Sequence, residues 1–308
     1  MPDRPQVAAI VPTMDRPERL DAALESIFDQ TYERIEAVVV DASTDDRTEA
    51  VVSQYADVYG SDRLTYVSND SPQGLPAARN QAASATDADL LAFLDDDDRW
   101  KPRKIERQVR QFETRPDLGL SYTGRVSVTD DGEVVHTARP SLAGDIFRDL
   151  LVRNHLGSPS RVVVPASVFE GVGGFDESLR YQEDWDLYLR IAREHAVGCV
   201  PDPLVVRSVH DGGMSRNADQ QKQYRELVLD RYESTLREHA VFSDAWATHH
   251  TDTAVAYLHN GDTVAGRREL RAALGYQVSP KRLLLYLVAL FGHRGFELLV
   301  GLKRRLGR

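Results

Sequence analysis

The sequence predicts an α/β fold over residues 1–215, a mostly parallel sheet with flanking helices, followed by an all-helical region over residues 216–308. Short apolar runs alternate with helical periodicity through the first hundred residues, which is the pattern of βαβ units. Val7 to Val11 and Leu90 to Leu94 are continuously apolar, as in strands covered on both faces. Beyond about residue 216 only the 3.6-residue period remains. A chain of 308 residues has room for two such bodies.

Val7 to Val11 reads as the first strand, and Leu20, Ala23, Leu24 and Ile27 fall on one face of the helix after it. Ile35 to Val40, Leu64 to Ser68 and Leu90 to Leu94 supply three further strands, with helices over Asp46 to Tyr55 and Pro76 to Ala85 between them. Ligands of such a sheet bind beyond the carboxyl ends of the strands, which points at Pro12, Thr13, Asp41 and Asp95 to Asp98. Asp130-Asp131-Gly132 between Val126 to Thr129 and Val134 to His136 marks a hairpin. Arg161 to Val164 and Val205 to Ser208 read as short strands, and Asp184 to Glu194 as a helix. Helices over Tyr224 to His239, Asp244 to His259 and Thr263 to Leu274 make the last region.

With 42% hydrophobic and 28% charged residues the chain is neither disordered nor collagen-like. Its one cysteine, Cys199, excludes internal disulfides and Cys-rich zinc sites. A net charge of −10 argues against a nucleic-acid partner. That charge is uneven. Residues 281–308 hold seven Lys and Arg against one Glu, so the preceding residues carry −16. Within this basic tail, Leu283 to Phe291 is too short an apolar run to cross a bilayer. Two readings stand for it: an interfacial helix in peripheral contact with a membrane, or a terminal helix docked on the protein's own core. Met1-Pro2-Asp3-Arg4-Pro5 lacks the basic and apolar regions of a signal peptide, so the expected location is the cytoplasm, at the cytoplasmic face of the membrane if the tail binds lipid.

Four adjacent carboxylates, Asp95 to Asp98, repel one another at a strand end and call for a compensating cation. Hard oxygen ligands select Mg²⁺ or Mn²⁺, which leave positions for substrate phosphates. A solvated acidic turn is the plain alternative. A phosphatase Asp-x-Asp motif would want Thr or Val beyond its second acid, where Asp98 and Arg99 stand, and a prenyl-synthase DDxxD would need an acid at Arg99. Glu183, Asp184 and Asp186 lie at a helix start, where carboxylates serve either as a general base or as a complement to the helix dipole. His210 lies in a Gly-rich loop, and His249-His250 reads as a solvated pair.

Five segments in order resemble the family 2 glycosyltransferases, inverting enzymes of the GT-A fold. They are Val11-Pro12-Thr13 with Arg16, then Val40-Asp41-Ala42-Ser43-Thr44, Gly74 to Asn80 with its Ala-Arg-Asn, Leu94 to Lys104, and Gly173-Gly174-Phe175-Asp176-Glu177 before Glu183-Asp184-Trp185-Asp186. The resemblance implies metal-dependent transfer of a sugar, with inversion, from a UDP- or GDP-type donor. The implied acceptor is a saccharide or a lipid-linked glycan such as a dolichol-phosphate oligosaccharide, in surface-glycan or protein glycosylation. Matched residue by residue, it places Pro12, Thr13, Arg16, Asp41, Arg79, Asp95 and Asp96 at the donor, and Asp97, Asp95 and His210 at Mg²⁺ or Mn²⁺. Asp184 falls on the catalytic base, with Glu183 and Asp186 able to do the same work. The family usually carries two acids where this chain has Val40-Asp41, which leaves the base of the nucleotide open. A non-catalytic sugar-nucleotide- or glycan-binding protein on the same fold is the alternative. The preference for Asp (31) over Glu (17) and Arg (33) over Lys (5) is similar to that of salt-loving archaea.

Overall fold

The computed structural model describes residues 4–209 and 217–305. These form two compact units, one of residues 4–147 and 155–209, the other of residues 148–154 and 217–305.

The first unit begins with β1 (Val7–Thr13), α1 (Pro17–Phe28), β2 (Ile35–Asp41), α2 (Arg47–Tyr59), β3 (Leu64–Ser68), α3 (Leu75–Ser84) and β4 (Leu90–Phe93). Every residue of β1 is buried, because helices cover both faces of the sheet around it. Proline stands at the first turn of α1, where its fixed φ and missing N–H cost nothing, and Leu20, Ala23, Leu24 and Ile27 form the buried stripe. Full burial of a side chain such as Leu24 or Ile27 stabilises the unit by about 2 kcal/mol each.

Next come β5 (Asp98–Trp100), α4 (Lys104–Thr114), β6 (Leu118–Thr129) and β7 (Val134–Ala138); α5 (Phe147–Val152) leads into the second unit. The chain returns as β8 (Val162–Pro165), α6 (Ala166–Gly171), α7 (Glu183–Ala192) and β9 (Ala196–Val209). Among the described residues these strands make one nine-stranded sheet in the order β3-β2-β1-β4-β8-β6-β9-β5, with β7 beside β6. The first four are mutually parallel. β8 runs antiparallel to β4 and β6, and β9 parallel to β6, so parallel pairing is confined to part of the sheet. Thr13 pairs with Asp41 and Ile10 with Phe93, which brings the carboxyl ends of β1, β2 and β4 to one edge.

The second unit continues as α8 (Ala218–Arg231), α9 (Glu233–Glu238), α10 (Phe242–His259), α11 (Thr263–Tyr276), α12 (Pro280–Leu290) and α13 (Gly292–Arg305). Ala254, Leu258, Leu270, Leu285, Ala289 and Phe296 form its apolar core. One face of the tail therefore docks on its own unit. The other face leaves Leu283, Leu284, Leu287, Leu290 and Phe291 exposed. No helix of the described residues is long and apolar enough to cross a membrane.

His249 and His250 correct the solvated-pair reading. His249 is fully buried and meets Glu226 at 3.3 Å, while His250 Nδ1 lies 2.8 Å from Glu269. Burial, then Arg225 and His250, push His249 down to about 3. Burial would raise Glu269, but hydrogen bonds from His250 and from Lys222 (2.9 Å) outweigh it and hold that carboxyl at about 2. Two histidines inside one helical stripe are indistinguishable from a wet pair unless the facing acid is known.

Candidate active site

The aspartate run turns at the end of β4, where the Asp98 N–H donates to the Asp95 carbonyl at 3.0 Å. Its side chains then point to separate partners. Arg79 Nη2 donates to Asp95 at 2.6 Å, and Asp96 accepts from Thr13 Oγ1 at 2.9 Å and Arg16 Nη1 at 3.2 Å. Arg19 lies 3.6 Å from Asp97. Asp98 enters β5 opposite Arg207. Much of the compensation that four carboxylates demand is thus supplied by Arg16 just before α1, Arg19 in α1 and Arg79 in α3. The run also alternates: Asp96 and Asp98 are buried, while Asp95 and Asp97 stay partly open to solvent. Burial, only partly offset by Arg16 and Thr13, lifts Asp96 to about 6. Burial, then Asp95 and Asp97, lifts Asp98 to about 8.

Among the described residues no three His, Cys, Asp or Glu side chains converge on one point. Mg²⁺ is commonly held by one or two carboxylates plus substrate phosphates rather than by a protein cage. Asp95 and Asp97, the two open carboxylates, are hard oxygen donors of the kind such an ion takes, so the residues present fit it. His210 lies outside the described residues.

Thr13 and Arg16 both hold Asp96, and Pro12 is buried in β1 beside Val40. Asp41 closes β2. Its Oδ1 accepts the Ser43 N–H at 2.8 Å, and its Oδ2 the Tyr66 hydroxyl at 2.8 Å. Asp15, at φ 53°, accepts the Thr44 N–H at 2.9 Å, and its own N–H donates to Ser43 Oγ at 2.8 Å. Aspartate tolerates that left-handed backbone better than most residues. Asp15 thereby ties the loop after β1 to the loop after β2, a role that its place before Arg16-Pro17 does not announce. Ser160 was also passed over: its Oγ accepts the Asp95 N–H at 3.1 Å.

Arg79 is a buried clasp. Besides Asp95 it donates through Nη1 to Glu183 at 2.8 Å, and its guanidinium lies 5.3 Å from the Phe175 ring centroid. Beside it, Asn80 Nδ2 donates to the Phe175 carbonyl and Asn80 Oδ1 accepts the Phe175 N–H, each at 2.9 Å. Gly174, at φ +67°, allows this approach, since a Cβ there would stand 2.7 Å from Asn80 Oδ1. Helix α3 thus fastens the Gly-Gly-Phe turn and the start of α7 to the end of β4.

The three acids of α7 separate by environment. Glu183 faces Arg79, and Asp186 is fully buried against Arg190 Nε at 2.8 Å, an i,i+4 pair that anchors the helix. Asp184 accepts the Trp185 N–H at 2.7 Å and keeps partial exposure. Desolvation, then Glu183, lifts its carboxyl to about 7. Trp185 is core packing.

Fold and site together define a glycosyltransferase of GT-A architecture: parallel strands ending in acids at one edge, clasped to an acid-bearing helix. The chain belongs to glycosyl transferase family 2, whose sequence model matches residues 8–163. It is 27% identical over 238 residues to an uncharacterized glycosyltransferase of Haemophilus influenzae, covering 75% of this chain and 79% of that one. Among solved structures it is similar to the mannosyltransferase PcManGT from Pyrobaculum calidifontis in complex with GDP-Man and Mn²⁺ (TM-score 0.63, 19% identity, covering 94% of this chain and 81% of that one). It is also similar to S. aureus TarS 1–349 in complex with UDP-GlcNAc (TM-score 0.60, 15% identity, 92% and 90% covered).

Proposed function

We propose that the chain transfers a sugar, with inversion, from a nucleotide-diphosphate donor to a hydroxyl acceptor, aided by Mg²⁺ or Mn²⁺. One observation carries this reading: a single buried guanidinium, that of Arg79, joins the donor-end carboxylate Asp95 to Glu183 beside Asp184. Leaving-group end and base end are thereby fixed to each other, as an in-line displacement requires. The GDP-Man and Mn²⁺ of one structural neighbour and the UDP-GlcNAc of another support the donor class.

Asp41, held by Ser43 and Tyr66, orients the nucleoside. Thr13 and Arg16 fix Asp96, and so the turn that presents Asp95 and Asp97. When bound there, the cation would neutralise charge growing on the leaving diphosphate. Asp184 takes the proton of the acceptor hydroxyl as its oxygen attacks the anomeric carbon from the face opposite the leaving group. A carboxyl held near 7 by its surroundings is well matched to that task.

Residues 1–215 carry the chemistry in this reading. The helical region 216–308 supplies, through the exposed stripe of α12 with Lys281 and Arg294 nearby, a peripheral contact with an anionic membrane. Such a contact suits a lipid-linked acceptor in surface-glycan or protein glycosylation at the cytoplasmic face.

The test is a donor screen with purified protein. Release of nucleoside diphosphate from one UDP- or GDP-sugar, dependent on Mn²⁺ or Mg²⁺ and lost with chelator, is the expected result. Binding of a donor with no release across the panel would overturn the reading in favour of a non-catalytic binding protein.

A further inference from the structure

We propose that β7 is an interaction surface for a second copy of this chain, the two strands pairing antiparallel about a two-fold axis at His136. Among the described residues β7 is paired with β6 alone. Val134 to Thr137 are all exposed, Val134 by 58% and Val135 by 49%, whereas β3, which also has one neighbour, is mostly half-buried. An edge of this kind presents unpaired N–H and C=O groups that template a further strand. Its guards are thin. The register shift beside Val128 bends the hairpin, but no proline or lysine lies within Val134–Ala138.

The strand is complementary to itself. In an antiparallel pair centred on His136, Val134 faces the second copy's Ala138 and Val135 its Thr137, so each exposed valine meets a smaller side chain. Glu133 faces Arg139, an opposite-charge pair that the symmetry makes twice. Both side chains are exposed, and among the described residues neither has an ion pair of its own. Beyond them Gly132, at φ +83° in the hairpin turn, faces Pro140, so both strands stop pairing at the same point. An in-register parallel alignment would instead set each charge against its own kind. Matched charge and matched size select a second copy over an unrelated strand. The paired segment spans about 20 Å, at the small end for specific interfaces, so the association is weak and concentration-dependent. It uses no residue assigned to donor, metal or base, and stands independently of the transferase reading.

The test is sedimentation velocity of the full chain from about 1 μM to about 1 mM. Wild type should pass from a single copy to a pair as concentration rises. E133R and R139E each set like charges opposite one another at both ends of the contact. Either should raise the dissociation constant about tenfold or more, at unchanged melting temperature because both side chains are exposed. An equimolar mixture of the two variants restores opposite charges at both ends, and so does the double variant E133R/R139E; each should recover wild-type affinity to within about threefold. A wild type that stays a single copy throughout would overturn the proposal. So would weakened single variants that neither the mixture nor the double variant rescues. Pairing undiminished in both single variants would overturn it too, by placing the contact between copies on another surface.

Discussion

Asp95 and Glu183 share one guanidinium: Arg79 donates at 2.6 Å to the first and at 2.8 Å to the second, from a position almost wholly shielded from solvent. In this chain's Gly74 to Asn80 segment both Nη groups of Arg79 face protein carboxylates.

Replacing Arg79 by Gln leaves two carboxylates without their buried counterion. A loss of about 3–5 kcal/mol is expected for breaking a buried pair on one side. Thermal denaturation should show a clear fall in melting temperature together with loss of transfer. An unchanged melting temperature would mean that solvent, not Arg79, compensates those acids.

Asp97→Ala removes one of the two open carboxylates while leaving buried Asp96 and its partners in place. Nucleoside-diphosphate affinity measured with Mn²⁺ should fall at least tenfold, and chelator should have little further effect. Equal affinity of variant and wild type, with and without chelator, would remove Asp97 from the metal site.

Asp184 gives a paired test of activity and stability against pH. A base must be ionised, so transfer should rise through about pH 7 and reach a plateau above it. The stability effect has the opposite sense. The folded chain binds this proton more tightly than the unfolded chain, whose carboxyl titrates near 3.8, so stability falls as pH rises from about 4 through 7. Asp184→Asn should therefore abolish transfer and yet melt higher than wild type at pH 8, by an amount on the order of 1–3 kcal/mol that vanishes near pH 4. Wild-type turnover in the variant would rule out Asp184 as base.

The membrane reading of α12 is best tested by point substitution. Deleting the tail would uncover Ala254, Leu258 and Leu270, which Leu285 and Ala289 help cover. Leu287→Glu and Phe291→Glu change only exposed side chains. Each should reduce co-sedimentation with anionic liposomes several-fold at unchanged melting temperature. Equal bound fractions would leave docking as the tail's whole role.

Of the four parallel strands, β1, β2 and β4 were legible because burial makes them mainly apolar, whereas β3 carries Thr65 and Ser68 and is mostly half-buried. β5 was hidden inside the acidic run. α4 was hidden by a polar sequence in which only Ile105, Val109 and Phe112 show the helical spacing. β6 and β9 were seen only at their ends, since Gly124, Pro201 and Pro203 look like breaks; the register indeed shifts around Gly124, but pairing continues through it. The single helix read over Tyr224 to His239 divides after Arg231. Within the site, residue types announced Asp95 to Asp98 and the acids of α7. What spacing could not convey was partnership: that Thr13 and Arg16 serve Asp96, that Asp186 belongs to Arg190, and that Asp15 ties two loops together.

Residues 148–154 belong with the helices of 217–305, where Arg153 meets Asp252 and Leu150 and Leu151 are buried. The polypeptide accordingly threads out of the sheet-bearing unit, back into it, and out again. Neither unit can be excised by a single cut: truncation near residue 215 would leave an amphipathic stub in the middle of the remaining chain, its counter-charge and its cover both gone. The helical unit is interleaved with the transferase and was never a detachable extension, so the two are expected to be inherited, expressed and lost together.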